Sequence, residues 1–262
     1  MCTIIVLNQV HPTYPVIIAA NRDEYYARPS SGPVRLLEDP VAIGGVDGRK
    51  KGTWMGATAH GLFVGLTNQR TYALPHNDRL SRGQVVLDCL AAGSVEGVDA
   101  LLRDLKPKDY NAFNLLYADR TQVRAAYAWD GERVEFEDVP AGIHVLPNDR
   151  LDHADWFKVG RARALLRGWE TRPWEELAPH LVRVLADREK APLASVQRPP
   201  LASPFTRTMV HQLTCLCIRT PVYGTRSSTL VALDGDGGVA QYHFAPEAPD
   251  RAPFQDVTAL LR

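Results

Sequence analysis

The sequence predicts an α+β fold of antiparallel sheets stacked between helical layers. Three observations predict it. Short β-branched runs recur at the start, middle and end of the chain, two stretches with helical spacing separate them, and the order is strands, helices, strands, helices, strands. A chain of 262 residues buries roughly 70% of its unfolded surface, enough for one domain spanning 1–262.

The first strand is expected over 3–7, Thr-Ile-Ile-Val-Leu, and the second over 16–20, joined by the turn from Asn8 to Pro15 and paired with each other. After Asn21-Arg22-Asp23-Glu24, a Pro/Gly-rich stretch to about Lys51 reads as loop. Its segment 44–52 looks like a flexible turn in which glycine supplies positive φ. Strands over 53–59 and 62–67 follow, joined as a hairpin at His60-Gly61.

Between Arg79 and Leu105 the apolar residues fall at helical intervals, interrupted at Gly93-Ser94, where Ser94 is suited to cap a second helix. Strands return at 113–118, 123–129 and 142–146. Helices are expected over 152–166 and 174–186, the second with Thr171 as N-cap and Pro173 in its first turn. A Pro- and Ser-rich loop over 190–206 precedes strands at 213–220, 229–234 and 239–244.

Composition excludes several classes. Thirty Lys and Arg balance thirty Asp and Glu, so bulk charge gives no basis for binding nucleic acid or an anionic membrane. No run approaches the ~18 apolar residues of a membrane span, so no integral membrane segment is expected. The absence of a basic leader before Arg22 and the presence of only four cysteines point to the cytoplasm.

The G-x-S-x-G, S-x-x-K, H-E-x-x-H, P-loop and G-x-G-x-x-G signatures are absent. Cys215 and Cys217 would share one face of a strand near His211, but a metal site needs a further pair of ligands, so core packing is the expectation for both. The other histidines are scattered without ligand spacing, and no metal is expected.

Cys2 stands apart by position. With Met1 removed, one residue carries a thiol and a free α-amine whose pKa of about 7.7–8 makes it a base near neutrality. The alternative is an inert thiol behind a retained Met1. Antiparallel pairing returns Asn21-Arg22-Asp23-Glu24 to the end where Cys2 begins. Arg22 there would favour a thiolate and Asp23 would hold the α-ammonium; otherwise the block is a solvated charged turn.

Met1-Cys2-Thr3, Asn21-Arg22-Asp23-Glu24, Gly52-Thr53-Trp54-Met55-Gly56, Thr67-Asn68, Asn111-Ala112-Phe113-Asn114-Leu115 and Tyr223-Gly224-Thr225-Arg226 together resemble the NRDE family, also called the transport and Golgi organisation protein 2 family. That family is in turn similar to N-terminal nucleophile hydrolases of the choloylglycine hydrolase and penicillin V acylase kind. The resemblance implies a four-layer αββα sandwich with Cys2 as nucleophile and Arg22 and Asp23 beside it. In those acylases the corresponding Arg and Asp have two residues between them, whereas here they are adjacent. The resemblance further implies Asn68 and Asn148 as oxyanion-stabilising or substrate-orienting amides, although Asn148 also suits the turn Pro147-Asn148-Asp149. It implies Arg226 as a late member of the polar cluster, with Trp54 and Tyr223 as walls of an acyl pocket or as plain core.

The function implied is cleavage of a non-peptide amide or thioester bond in a small, partly hydrophobic metabolite, by an amidohydrolase or acyltransferase needing no cofactor. The alternative is a non-catalytic carrier of a hydrophobic ligand such as haem or an acyl-CoA.

Overall fold

A computed structural model describes residues 2–129 and 131–262. The chain runs through β1 (Cys2–Asn8), β2 (Val16–Tyr25), β3 (Ser30–Glu38), β4 (Val41–Asp47), β5 (Met55–Thr58), β6 (Phe63–Asn68), α1 (Arg82–Ala91) and α2 (Val95–Asp104). It continues through β7 (Phe113–Ala118), β8 (Val123–Ala128), β9 (Glu135–Asp138), β10 (Gly142–Leu146), α3 (Phe157–Leu166) and α4 (Trp174–Leu185). It ends with α5 (Arg207–Gln212), β11 (Tyr223–Leu233), β12 (Val239–Ala245) and β13 (Gln255–Asp256).

Two antiparallel sheets result, in the orders β10-β1-β2-β11-β12-β13 and β3-β4-β5-β6-β7-β8-β9. The period-2 alternation of each strand decides the layering. In β1, Ile4 and Val6 enter the core between the sheets with Ile18, Phe63 and Leu116, while Ile5 and Leu7 face α3 and α4 with Val159, Leu177 and Leu181. On the second sheet, Phe113, Leu115 and Tyr117 face α1 and α2 with Val86, Leu90 and Leu102. Strands apolar on both faces thus bury both, at about 1.5–3 kcal/mol per large aliphatic side chain. The layers are helix, sheet, sheet, helix, as expected.

Several local expectations are corrected. The stretch read as loop after Glu24 contains β3 and β4, so six strands precede α1 rather than four. Gly44 and Gly45 lie within β4, and neither has a positive φ. What requires glycine there is close approach: a Cβ on Gly45 would sit 2.1 Å from the Trp54 ring. α4 begins after Pro173 as N-cap, without a side-chain cap from Thr171, whereas Ser94 caps α2 by accepting the Gly97 N–H.

Residues 213–220 form turns rather than a strand. They pass across the outer face of the first sheet, where the Leu216 carbonyl accepts the Asn21 side-chain amide at 3.0 Å. Cys215 and Cys217 are buried there, and the Cys215 thiol donates to the Cys217 carbonyl.

Candidate active site

The register of β1 against β2 places Cys2 opposite Arg22 and Thr3 opposite Asn21. The expected turn at 21–24 is instead the end of β2, which continues to Tyr25. Alternation therefore sends neighbouring residues to opposite faces. Arg22 shares the face between the sheets with Cys2, and Asp23 lies on the helix-covered face. The two adjacent residues thus lie on opposite sides of one strand.

Cys2 is only 6% exposed. Burial and the Asp23 charge leave its thiol pKa above the ordinary value, against the pull of the Arg22 cation and of a backbone N–H of Asp23 directed at the sulfur. The Arg22 guanidinium lies over the Trp54 ring at 4.2 Å, its Nη1 donates to Ser30 Oγ at 3.1 Å, and its Nη2 is 3.5 Å from Asp47 Oδ2. Asp47 also receives Arg28 through Nε at 2.6 Å and Nη2 at 3.0 Å, together with the Arg49 and Lys50 N–H groups. Burial raises the Asp47 carboxyl, but these donors outweigh it and leave it below the ordinary carboxylate value. Arg22 is thereby fixed from two sides, and a cation held this way costs little to aim.

These side chains edge a cleft of about 170 Å³, to which Asn68, Arg82 and Asn111 also contribute. Asn111 fixes the segment that forms the outer wall, its Oδ1 accepting the His76 N–H and its Nδ2 donating to the His76 carbonyl, both at 2.8 Å. Cys2, Arg22, Asp23, Trp54 and Asn68 all line this space.

The remaining predicted residues stand elsewhere. Asn148 is fully buried behind the cleft, and its Nδ2 donates to the Asn68 carbonyl at 2.7 Å. Tyr223 is outside the cleft, stacked edge-on to Tyr25, with its hydroxyl donating to the Asp23 carbonyl at 2.8 Å. Arg226 occupies the β-bulge of β11 between Thr225 and Ser227, also off the cleft lining. Among the described residues its buried Nε has no hydrogen-bond partner. The removal of Met1 falls outside the described residues.

Asp23 accepts Thr225 Oγ1 at 2.7 Å. Burial raises its carboxyl, and Lys158 of α3 acts against that. Lys158 is 1% exposed, and its Nζ donates to Thr3 Oγ1 at 3.1 Å. Desolvation lowers its pKa, opposed by the Asp23 charge. The sequence reading missed Lys158, although the spacing of Lys158, Ala162 and Leu166 puts it on the buried stripe of α3. Arg82, the other omission, sits at the start of a correctly expected helix, and nothing in the sequence distinguishes it from a surface arginine.

The architecture defines the class at the level of fold. The chain superposes in full on a conjugated bile acid hydrolase from Clostridium perfringens, covering 94% of that chain at a TM-score of 0.59 and 12% identity. Against penicillin V acylase from Agrobacterium tumefaciens, 94% of this chain and 83% of the other align at a TM-score of 0.54 and 13% identity. The fold is that of the N-terminal nucleophile hydrolases.

Residues 1–244 match the family described as Transport and Golgi organisation 2, and the chain belongs to that family. The Transport and Golgi organization protein 2 homolog of Bos taurus is 32% identical over 241 residues, spanning 86% of this chain and 84% of the bovine protein. The human homolog is 29% identical over 237 residues with the same coverage. Among the described residues no helix is long and apolar enough to cross a membrane.

Proposed function

We propose that the protein is an N-terminal cysteine hydrolase acting on a non-peptide amide or thioester bond of a small, partly hydrophobic metabolite. The observation that carries this reading is the pairing of Cys2 with Arg22 on one face of the first sheet, at the edge of a cleft and with the Asp23 N–H aimed at the sulfur.

In this reading Met1 is removed and the α-amine of Cys2 takes the thiol proton. The sulfur adds to the substrate carbonyl carbon, and the carbonyl π pair moves onto oxygen, where Asn68 donates to the oxyanion. The tetrahedral intermediate collapses, the C–N or C–S bond breaks, and the α-ammonium protonates the departing amine or thiol. Water, deprotonated by the same amine, then attacks the acyl-enzyme, expels Cys2 sulfur and releases the acid. Arg22 stabilises the thiolate, Asp23 holds the α-ammonium, and Trp54 supplies apolar surface for the acyl group. Asn148 and Tyr223 act through Asn68 and Asp23 as positioning residues.

The test is a panel of amides and thioesters with wild-type and Cys2→Ala protein, preceded by intact-mass measurement. Turnover that disappears in Cys2→Ala, from a mature chain lacking Met1, supports the reading. Turnover unchanged in Cys2→Ala, or a retained Met1, overturns it in favour of a carrier of a hydrophobic ligand such as haem or an acyl-CoA.

A further inference from the structure

The cleft beside Cys2 holds more positive charge than its own carboxylates neutralise. Arg22 is occupied by Asp47 and the Trp54 ring. Arg28 is held by Asp47 at 2.6 Å and Glu24 at 3.8 Å, and Arg79 donates to the Tyr110 carbonyl at 2.5 Å.

Arg82 differs from these three. Among the described residues no carboxylate stands within ion-pair distance of it, and its hydrogen bond is one long contact, 3.4 Å from Nη1 to the Ala112 carbonyl. A guanidinium presents five N–H donors, so most of this one's capacity is unspent. Burial in the cleft wall, then the like charge of Arg28, lower its pKa to about 10. It stays protonated at neutral pH, with the Glu24 charge acting on it from beyond ion-pair distance.

The backbone adds to this charge. Ser81, Arg82 and Gly83 line the cleft, so the N-terminal end of the ten-residue α1 fronts it. The first turn of α1 carries no acidic residue, and the Ser81 side chain makes no cap bond. The orphan N–H groups and positive dipole end of a helix favour an anion in front of them. Lys50, exposed at the rim, supplies a further mobile cation.

We propose that Arg82 and the start of α1 form a subsite for a carboxylate carried by the ligand, so that the preferred acyl compounds are anionic. Naming these compounds as substrates rests on the hydrolase reading above, but the binding preference does not. The carboxylate can belong to either side of the scissile bond. N-hexanoylglycine carries it on the leaving side and N-butylglutaramic acid on the acyl side.

The experiment is calorimetric titration of Cys2→Ala protein, in which no turnover interferes, with each acid and with its neutral primary amide. A charge-assisted bond to a half-buried guanidinium is expected to make at least one acid bind about tenfold tighter than its amide. That preference should fall to about twofold or less in Arg82→Gln and be partly kept in Arg82→Lys. The acid that shows it identifies the side. Equal binding of both acids and their amides, or a preference untouched by Arg82→Gln, would overturn the proposal.

Should Arg82→Gln fail to fold, competition on the unsubstituted subsite decides. Inorganic phosphate is expected to displace the preferred acid and leave its amide in place, and displacement of neither or both alike overturns the proposal. A carboxylate preference in a protein that turns nothing over would defeat the hydrolase reading alone.

Discussion

The side-chain amide of Asn148 donates to the backbone carbonyl of Asn68 at 2.7 Å, joining the end of β10 in one sheet to the end of β6 in the other. Thr67 Oγ1 donates to the Pro147 carbonyl at 2.8 Å, and Asn114 Nδ2 reaches both Thr67 Oγ1 and the Asp149 carbonyl. The turn at 147–149 is therefore stapled to the strand end that presents Asn68 to the cleft. Of the two asparagines read from the sequence, one lines the cleft and the other holds it in place.

This division of labour predicts opposite signatures for the two residues. Asn148→Ala takes this donor from the part-buried Asn68 carbonyl and is expected to cost about 1–3 kcal/mol in urea unfolding. Asn68→Ala removes a cleft side chain and is expected to change stability by less than about 0.5 kcal/mol while lowering turnover about a hundredfold or more. Equal stability losses for the two would contradict the arrangement.

Arg22 lies opposite Cys2, and its charge favours the thiolate over the thiol. Removing the cation in Arg22→Gln should raise the thiol pKa, since the charged form loses its partner. The alkylation–pH curve of Cys2 is expected to shift upward, slowing modification at pH 7. Peptide mapping of iodoacetamide-treated protein measures this. Cys89 and Cys217, both pushed up to about 12 by burial, serve as slow internal references.

How much of this was legible follows from particular residues. The alternation of Thr3-Ile4-Ile5-Val6-Leu7 and Val16-Ile17-Ile18-Ala19-Ala20 was readable because every position is buried on one face or the other. β3 was not, because Gly32 and Pro33 read as breakers. Pro33 is tolerated because β3 is an edge strand, paired only with β4. Residues 213–220 look like a strand by apolarity alone, yet their backbone meets the Asn21 amide in place of a sheet ladder. Cys2 with Arg22 was accessible through strand pairing. The position of Lys158 on the buried stripe of α3 was readable from spacing, whereas the lack of a carboxylate within ion-pair distance of Arg82 depends on packing that no local pattern reports.

Gly45 predicts a packing effect with a functional consequence. A Cβ there would lie 2.1 Å from Cη2 and 2.3 Å from Cζ2 of Trp54, the ring on which Arg22 rests at 4.2 Å. Gly45→Ala must displace the indole, with an overpacking cost of about 1–3 kcal/mol. Near-ultraviolet circular dichroism should change with it, and Cys2 alkylation should slow as Arg22 loses its support. Wild-type spectra and reactivity in Gly45→Ala would show that the ring has no part in placing the guanidinium.

Lys158 and Asp23 face each other's charge beneath the sheet, and their titrations have opposite signs. Burial lowers the lysine from 10.5, so the folded state binds fewer protons than the unfolded chain just below that value, and stability rises with pH there. Burial raises the aspartate from 3.8, so the folded state binds more protons just above that value, and stability falls as pH rises through that window. Lys158→Met is expected to remove the alkaline slope and Asp23→Asn the acidic one, each read from urea midpoints across pH. At pH 7 Lys158→Met alone removes the charge that opposes the desolvation of Asp23 and is expected to lower the urea midpoint. The double variant should lose less than the sum of the singles, because neutralising both partners leaves no uncompensated charge. Strict additivity at pH 7 would mean that the two groups do not interact and that Lys158 has no part in setting the charge of Asp23.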